Sequence, residues 1–411
     1  MIRVSCLLLV LMGLTACSSL VESTKSASRS LEASIINTMS ASGDDETLVP
    51  KVLEELASEV SIKVRWQTKV TGGLGDSLLK LEMALSEGRL FVASQDGLVV
   101  ALEQSTGDEL WLVDTKLPIA GGIEVGSDNL FFGTSDAEVV ALKLVDGETS
   151  WTAMVSSEVL SMPRYDDGFV VVRSIDGAIN ALEATDGQEI WSYIRDVPAL
   201  SLRGTSSPVL KSGGVISGYA NGKLVVLRLS DGLQIWETSV AVPRGRDALS
   251  RMVDVDADPL AGERFIYAAT YSGGVAALDV KSGQIAWRRS EMSSFKKMAA
   301  DWLSIYVVDV NNVIWSADKT DGSVNWQQDK LENRRLTPVV KLGDYLITAD
   351  FEGYLHVLST SDGHLVGRYK VSDVSITSTP IVDGDLIYIQ DIDGEITSLQ
   401  LSNDSSTGSE G

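Results

Sequence analysis

The chain has 411 residues, 57 of them acidic against 34 basic, and a formal charge of −23. That balance argues against nucleic acid and against tight adhesion to anionic lipid, both of which need Lys and Arg to neutralise phosphates. Two cysteines and two histidines leave no material for a metal centre of the His/Cys type.

Residues 1–16 open with Arg3, continue as an apolar run and end on Leu14, Thr15 and Ala16, directly before Cys17. The run is too short to span a membrane as a helix and reads as a secretory signal peptide. The Leu-x-Ala-Cys ending resembles the bacterial lipoprotein signal, which implies that Cys17 becomes the lipidated first residue. Ser18, in place of Asp, then implies the outer membrane. Cys6 would leave with the leader, so the mature chain would have no thiol to pair. Residues 17–60 are rich in Ser, Ala and charge and read as a flexible tether, with 49–60 read as a short helix.

From residue 61 to 401 a phrase repeats. Residues 101–111 read ALEQSTGDELW, 141–151 ALKLVDGETSW and 181–191 ALEATDGQEIW, and the phrase returns at 226–236, 277–287 and 316–326. Each copy opens on a small or β-branched residue, carries Gly at its seventh position and closes on Trp at its eleventh. A seventh copy, 357–367, keeps Gly363 and ends on Gly367. Short apolar runs such as 90–94, 130–134 and 169–173 precede turns such as Asp96-Gly97 and Asp176-Gly177, as hairpins require. A period near forty residues built from strands and tight turns marks propeller blades rather than a helical solenoid.

An eighth copy begins at Asp393-Gly394 and lacks its closing Trp, whereas Trp66 stands alone near the start. Joining the two completes one blade from both ends of the chain and removes two open sheet edges. The expected fold is all-β: an eight-bladed β-propeller of four-stranded antiparallel blades, closed by the N-terminal strand, with residues 402–411 as a disordered tail. The tryptophans are expected to pack blade against blade rather than to bind ligand.

The search for chemistry returns little. His356 falls on an expected strand and His364 in a turn, and no Gly-x-Ser-x-Gly is present. Asp254, Asp256 and Asp258 have alternating carboxylates that could suggest calcium, without the Gly and distant Glu of an EF-hand loop. Glycine pairs such as Gly213-Gly214 do not lead into a helix that could cradle phosphate.

The phrase resembles the blades of pyrroloquinoline-quinone dehydrogenases, and the resemblance covers nearly all of 62–400. Those enzymes need a quinone site with a metal, and many carry adjacent cysteines, which this chain lacks. It is also similar in length, lipobox, acidity and blade number to BamB, the lipoprotein family of the outer-membrane β-barrel assembly machinery. Residues 197–204 (VPALSLRG), followed by Ser207-Pro208, and Met252, Val253, Asp254, Val255 and Asp256 look like that family's characteristic segments. The resemblance implies that Leu200, Leu202, Arg203, Asp254 and Asp256 meet the periplasmic domains of BamA. It further implies contact through BamA with the other assembly lipoproteins, unfolded outer-membrane β-barrel proteins as clients, a lipid anchor in the inner leaflet and no cofactor.

Both segments fall in links between one blade's outer strand and the next blade's inner strand, where equivalent links lie side by side on one face. The longest spacing between closing residues, Trp236 to Trp287, contains the second link, with Arg244, Arg246 and Arg251. On pattern alone, Leu200 and Leu202 could face a blade core, and Arg203 could pair internally with Asp254 or Asp256. The competing functional readings are a periplasmic quinoprotein dehydrogenase and a propeller lipoprotein with another partner, such as a polysaccharide.

Overall fold

A computed structural model describes residues 49–403, apart from 71, 75–78, 80, 196–205 and 243–252. The residues read as the leader, Cys17, and most of those read as the tether and the tail lie outside the described residues. Contacts divide the chain into Met1–Pro50 and Lys51–Gly411, and the ring belongs to the second unit.

The strands form eight four-stranded antiparallel sheets. In the first blade Ala84–Ser86 lies innermost, followed by Arg89–Ala93, Leu98–Glu103 and the outermost Glu109–Asp114. The two middle strands are buried almost throughout, because both of their faces meet neighbouring blades. The outer strand is largely exposed. One core cluster shows the arrangement: Phe91, Ala93, Val99 and Ala101 of the first blade pack on Leu130, Phe132, Val140 and Leu142 of the second. In an antiparallel blade, the inter-blade links and the turns between the two middle strands share one face, called here the linking face. The remaining hairpins occupy the other.

The phrase spans the third and fourth strands, so that Ala101 pairs with Trp111 and a bulge follows between Ala101 and Leu102. Each closing Trp donates its indole N–H to the carbonyl at position four of the next blade's phrase. Trp66 reaches Gln104, Trp111 Leu144, Trp151 Ala184, Trp191 Leu229, Trp236 Val280, Trp287 Lys319 and Trp326 Thr360, at 2.7 to 3.1 Å. The same rings lie on the next phrase's Gly. A Cβ added to Gly187, which has a φ of +76°, would stand 2.5 Å from the Trp151 ring. The phrase is therefore an inter-blade clamp, with Trp on one side and a Gly turn on the other.

The eighth blade has the order Val60–Lys69, Glu395–Asn403, Leu386–Gln390, Ile381–Asp383, with Trp66 opposite Ser398. Its third and fourth strands thus come from opposite ends of the chain. Residues 49–60 contain no helix, contrary to the sequence expectation. Val60 begins the outer strand, and the residues before it run without regular structure. Leu53 and Leu56 pack on a core that includes Leu331, Leu336 and Val339. Their three-residue spacing mimics a helix, but the seventh blade supplies an apolar bed for an extended chain, and tertiary contacts override weak local propensity.

Candidate partner-binding site on the linking face

The two candidate segments lie in the links that leave the outer strands Glu189–Tyr193 and Gln234–Ser239. Leu200, Leu202 and Arg203 lie outside the described residues, as do Arg244, Arg246 and Arg251. What is described is the stem of each link, 206–208 and 253–259, just before the inner strands Val209–Lys211 and Leu260–Ala261.

Asp254, Asp256 and Asp258 are buried, at 1%, 4% and 7% exposure. A buried carboxylate needs a cation or several N–H donors. Asp258 has a cation and one amide: its Oδ1 accepts from the Ser207 amide at 2.7 Å, and its Oδ2 lies 3.2 Å from an Arg164 Nη. Arg164 also meets Glu124 at 3.3 Å and donates from Nε to the Pro208 carbonyl at 3.2 Å. Burial works against the Arg164 charge, yet Asp258 and Glu124 outweigh it and raise the pKa above the ordinary arginine value. Burial raises the Glu124 carboxyl, against the pull of Arg164.

Asp254 and Asp256 sit in the field of a second buried arginine, Arg173, which is 3% exposed. Burial lowers the Arg173 pKa, opposed by Tyr219 and by the three aspartates. A guanidinium remains charged in proteins even so. It donates to the Ser206 carbonyl at 3.3 Å and lies 5.2 Å from the centre of the Tyr219 ring. Tyr219 in turn accepts the Val255 amide at 3.2 Å through its carbonyl, and the Met162 amide donates to the Ser207 hydroxyl at 3.1 Å.

Four adjacent blades are therefore cross-linked here: Glu124 from the second, Arg164 and Arg173 from the third, Ser206 and Ser207 at the entrance to the fourth, and Asp258 at the entrance to the fifth. Asp254 and Asp256, expected at the contact surface, are buried, and Asp258 has Arg164 and the Ser207 amide as partners. Arg164, Arg173 and Tyr219 were not singled out from the sequence. A signal was available for one of them. Positions equivalent to Arg173 in register are Ala93, Gly133, Gly218, Ala269, Val308, Ala349 and Gln390, so a cation there breaks a mostly small or apolar series.

A cavity of about 410 Å³ is lined by the inner strands, with Glu82, Glu124, Arg164, Lys297 and Thr379 among its polar groups. Glu82 meets Lys297 at 3.4 Å and accepts from Thr379 at 2.9 Å, and Glu124 meets Arg164. Its carboxylates are thus paired with cations, and among the described residues no group of three or more His, Cys, Asp or Glu could hold a metal. This lining does not fit a quinone with its metal. His356 is fully buried, with Nε2 2.9 Å from Asp350 Oδ2, and His364 lies in an exposed turn beside Asp362 and Glu59. Neither touches the cavity.

The family model described as "Outer membrane protein assembly factor BamB" matches residues 56–121 and 95–328. A relative of that name from Alkalilimnicola ehrlichii is 49% identical over 352 residues, covering 86% of this chain and 92% of its own. The crystal structure of BamB from Moraxella catarrhalis superposes with a TM-score of 0.74 at 23% identity, over 83% of this chain and all of that one. Quinohemoprotein alcohol dehydrogenase from Comamonas testosteroni superposes at 0.67 with 12% identity, over 85% of this chain and 78% of that one, which is a likeness of fold alone.

Proposed function

Because the chain belongs to the BamB family of outer membrane protein assembly factors, we propose that it is a non-enzymatic scaffold of the β-barrel assembly complex, docking on the periplasmic domains of BamA. The observation that carries this reading is the buried Arg and Asp cluster that cross-links the stems of two neighbouring links. Leu200, Leu202 and Arg203 supply the contact, and the buried Asp254 and Asp256 act as positioning residues. Acylated Cys17 holds the ring at the inner leaflet of the outer membrane, and BamA brings it to the other lipoproteins and to unfolded clients. A platform of buried charge suits this task, since fixed link stems lower the ordering cost when surface residues bind.

The test is co-purification of BamA from gently solubilised membranes, comparing the native chain with Leu200→Ala/Arg203→Ala and with Asp256→Asn. BamA is expected with the native chain and lost with the double variant while its circular dichroism is unchanged. BamA retained by a folded double variant would move the contact elsewhere, and BamA absent throughout would refute the partner.

A further inference from the structure

We propose that residues 51–59 form a clasp closing the one joint of the ring that has no tryptophan clamp, between the seventh and eighth blades. Seven joints share the same lock, a Trp from one blade on the third-to-fourth-strand turn of the next. The eighth blade has no such turn, because its third strand Glu395–Asn403 and outer strand Val60–Lys69 are 326 positions apart in the chain at their nearest ends. A Trp at position 367 would find no glycine turn in the eighth blade to receive it. The chain carries Gly367 there, and Val60 fills the space: a Cβ on residue 367 would stand 2.5 Å from Val60 Cγ2 and 3.5 Å from Ser58 Oγ.

The segment ahead of Val60 is held along its length. The Glu59 amide donates to the Val366 carbonyl at 2.7 Å, next to the missing Trp. Arg368, one residue beyond Gly367, donates to the Glu54 carbonyl at 2.8 Å. Arg334, itself 2% exposed, donates to the Lys51 carbonyl at 3.0 Å, and the Lys51 amide donates to the Glu332 carbonyl at 3.1 Å. Leu53 and Leu56 press into the core of the sixth and seventh blades. Ion pairs from Lys51 to Asp329 and Glu332, and from Lys330 to Glu54, add a surface layer. Backbone atoms of the segment accept or donate most of these bonds, so it is gripped as an extended chain, with Leu53 and Leu56 as its apolar anchors. It starts at the sixth-to-seventh link, crosses the outer strand of the seventh blade and enters the eighth. A pull on the chain preceding Lys51 therefore acts on the clasp before it acts on any blade.

The proposal rests on the fold alone, not on the function proposed above. Amide hydrogen exchange on the full chain tests it, using Leu53→Asp/Leu56→Asp and, as a milder variant, Arg368→Gln. Exchange is expected to accelerate roughly tenfold in Leu365–Lys370, Val60–Lys69 and Glu395–Asn403, and by less with Arg368→Gln. Glu138–Lys143 of the second blade should keep its native rate. Acceleration confined to 51–59, or equal in all eight blades for both variants, would overturn the proposal.

Discussion

At the residue scale the ring is held by a repeated exchange between an indole and a glycine turn. Trp151 is 8% exposed and donates to Ala184 at 3.0 Å, so Trp151→Ala removes a large buried ring and a hydrogen bond together. A loss of about 3–5 kcal/mol is expected, read from urea unfolding. Its counterpart tests the other half of the lock. Gly187→Ala places a methyl group against the Trp151 ring at a left-handed backbone position and should cost about 1–3 kcal/mol. His356 offers a different readout. Burial holds its imidazole below the ordinary pKa, opposed by Asp350, so the folded chain resists its protonation. The unfolded chain takes up that proton near pH 6.5, so the stability is complete above that value and is lost as pH falls. The melting temperature should therefore decline between about pH 7 and pH 5, and His356→Gln should flatten that decline.

At the scale of elements, position 367 separates a repeat rule from its physical cause. Restoring the repeat with Gly367→Trp should destabilise the protein by about 1–3 kcal/mol through overpacking, because Val60 occupies the site and no turn faces it. Denaturant unfolding checks the sign. The blades themselves were legible in the sequence, since Trp, Gly and the opening small residue sit at fixed spacing and each performs a local task. So was the closure, because Trp66 lacked an opening phrase and Asp393-Gly394 a closing one. Residues 49–60 misled because Leu53 and Leu56 take their meaning from the seventh blade, nearly 280 residues away. The candidate site was legible only as two links. Its platform depends on Arg164 meeting Asp258 across 94 positions, and no periodicity announces such a pair. Arg164→Ala would leave Glu124 and Asp258 partly buried without their cation, and a loss of about 3–5 kcal/mol in thermal or urea unfolding is expected.

At the scale of the whole molecule, eight similar sheets form one body because the last borrows a strand from the start of the chain. The blade completed by Val60–Lys69 uses nine paired residues on that strand. A chain beginning after Lys69 should expose the edge of Glu395–Asn403 and form concentration-dependent oligomers on size exclusion, where the full chain runs as a single species. The shared strand also sets a clock. Blades one to seven can each form from a contiguous stretch of some forty residues, in whatever order the chain becomes available. Val60–Lys69 has no partner until Glu395–Asn403 exists, so the earliest strand to be made is the last to be used, and its loop-closure cost falls on the final step. Until then the protein is an open arc with two adhesive ends, and that interval, more than the finished ring, is when it most needs protection from its neighbours.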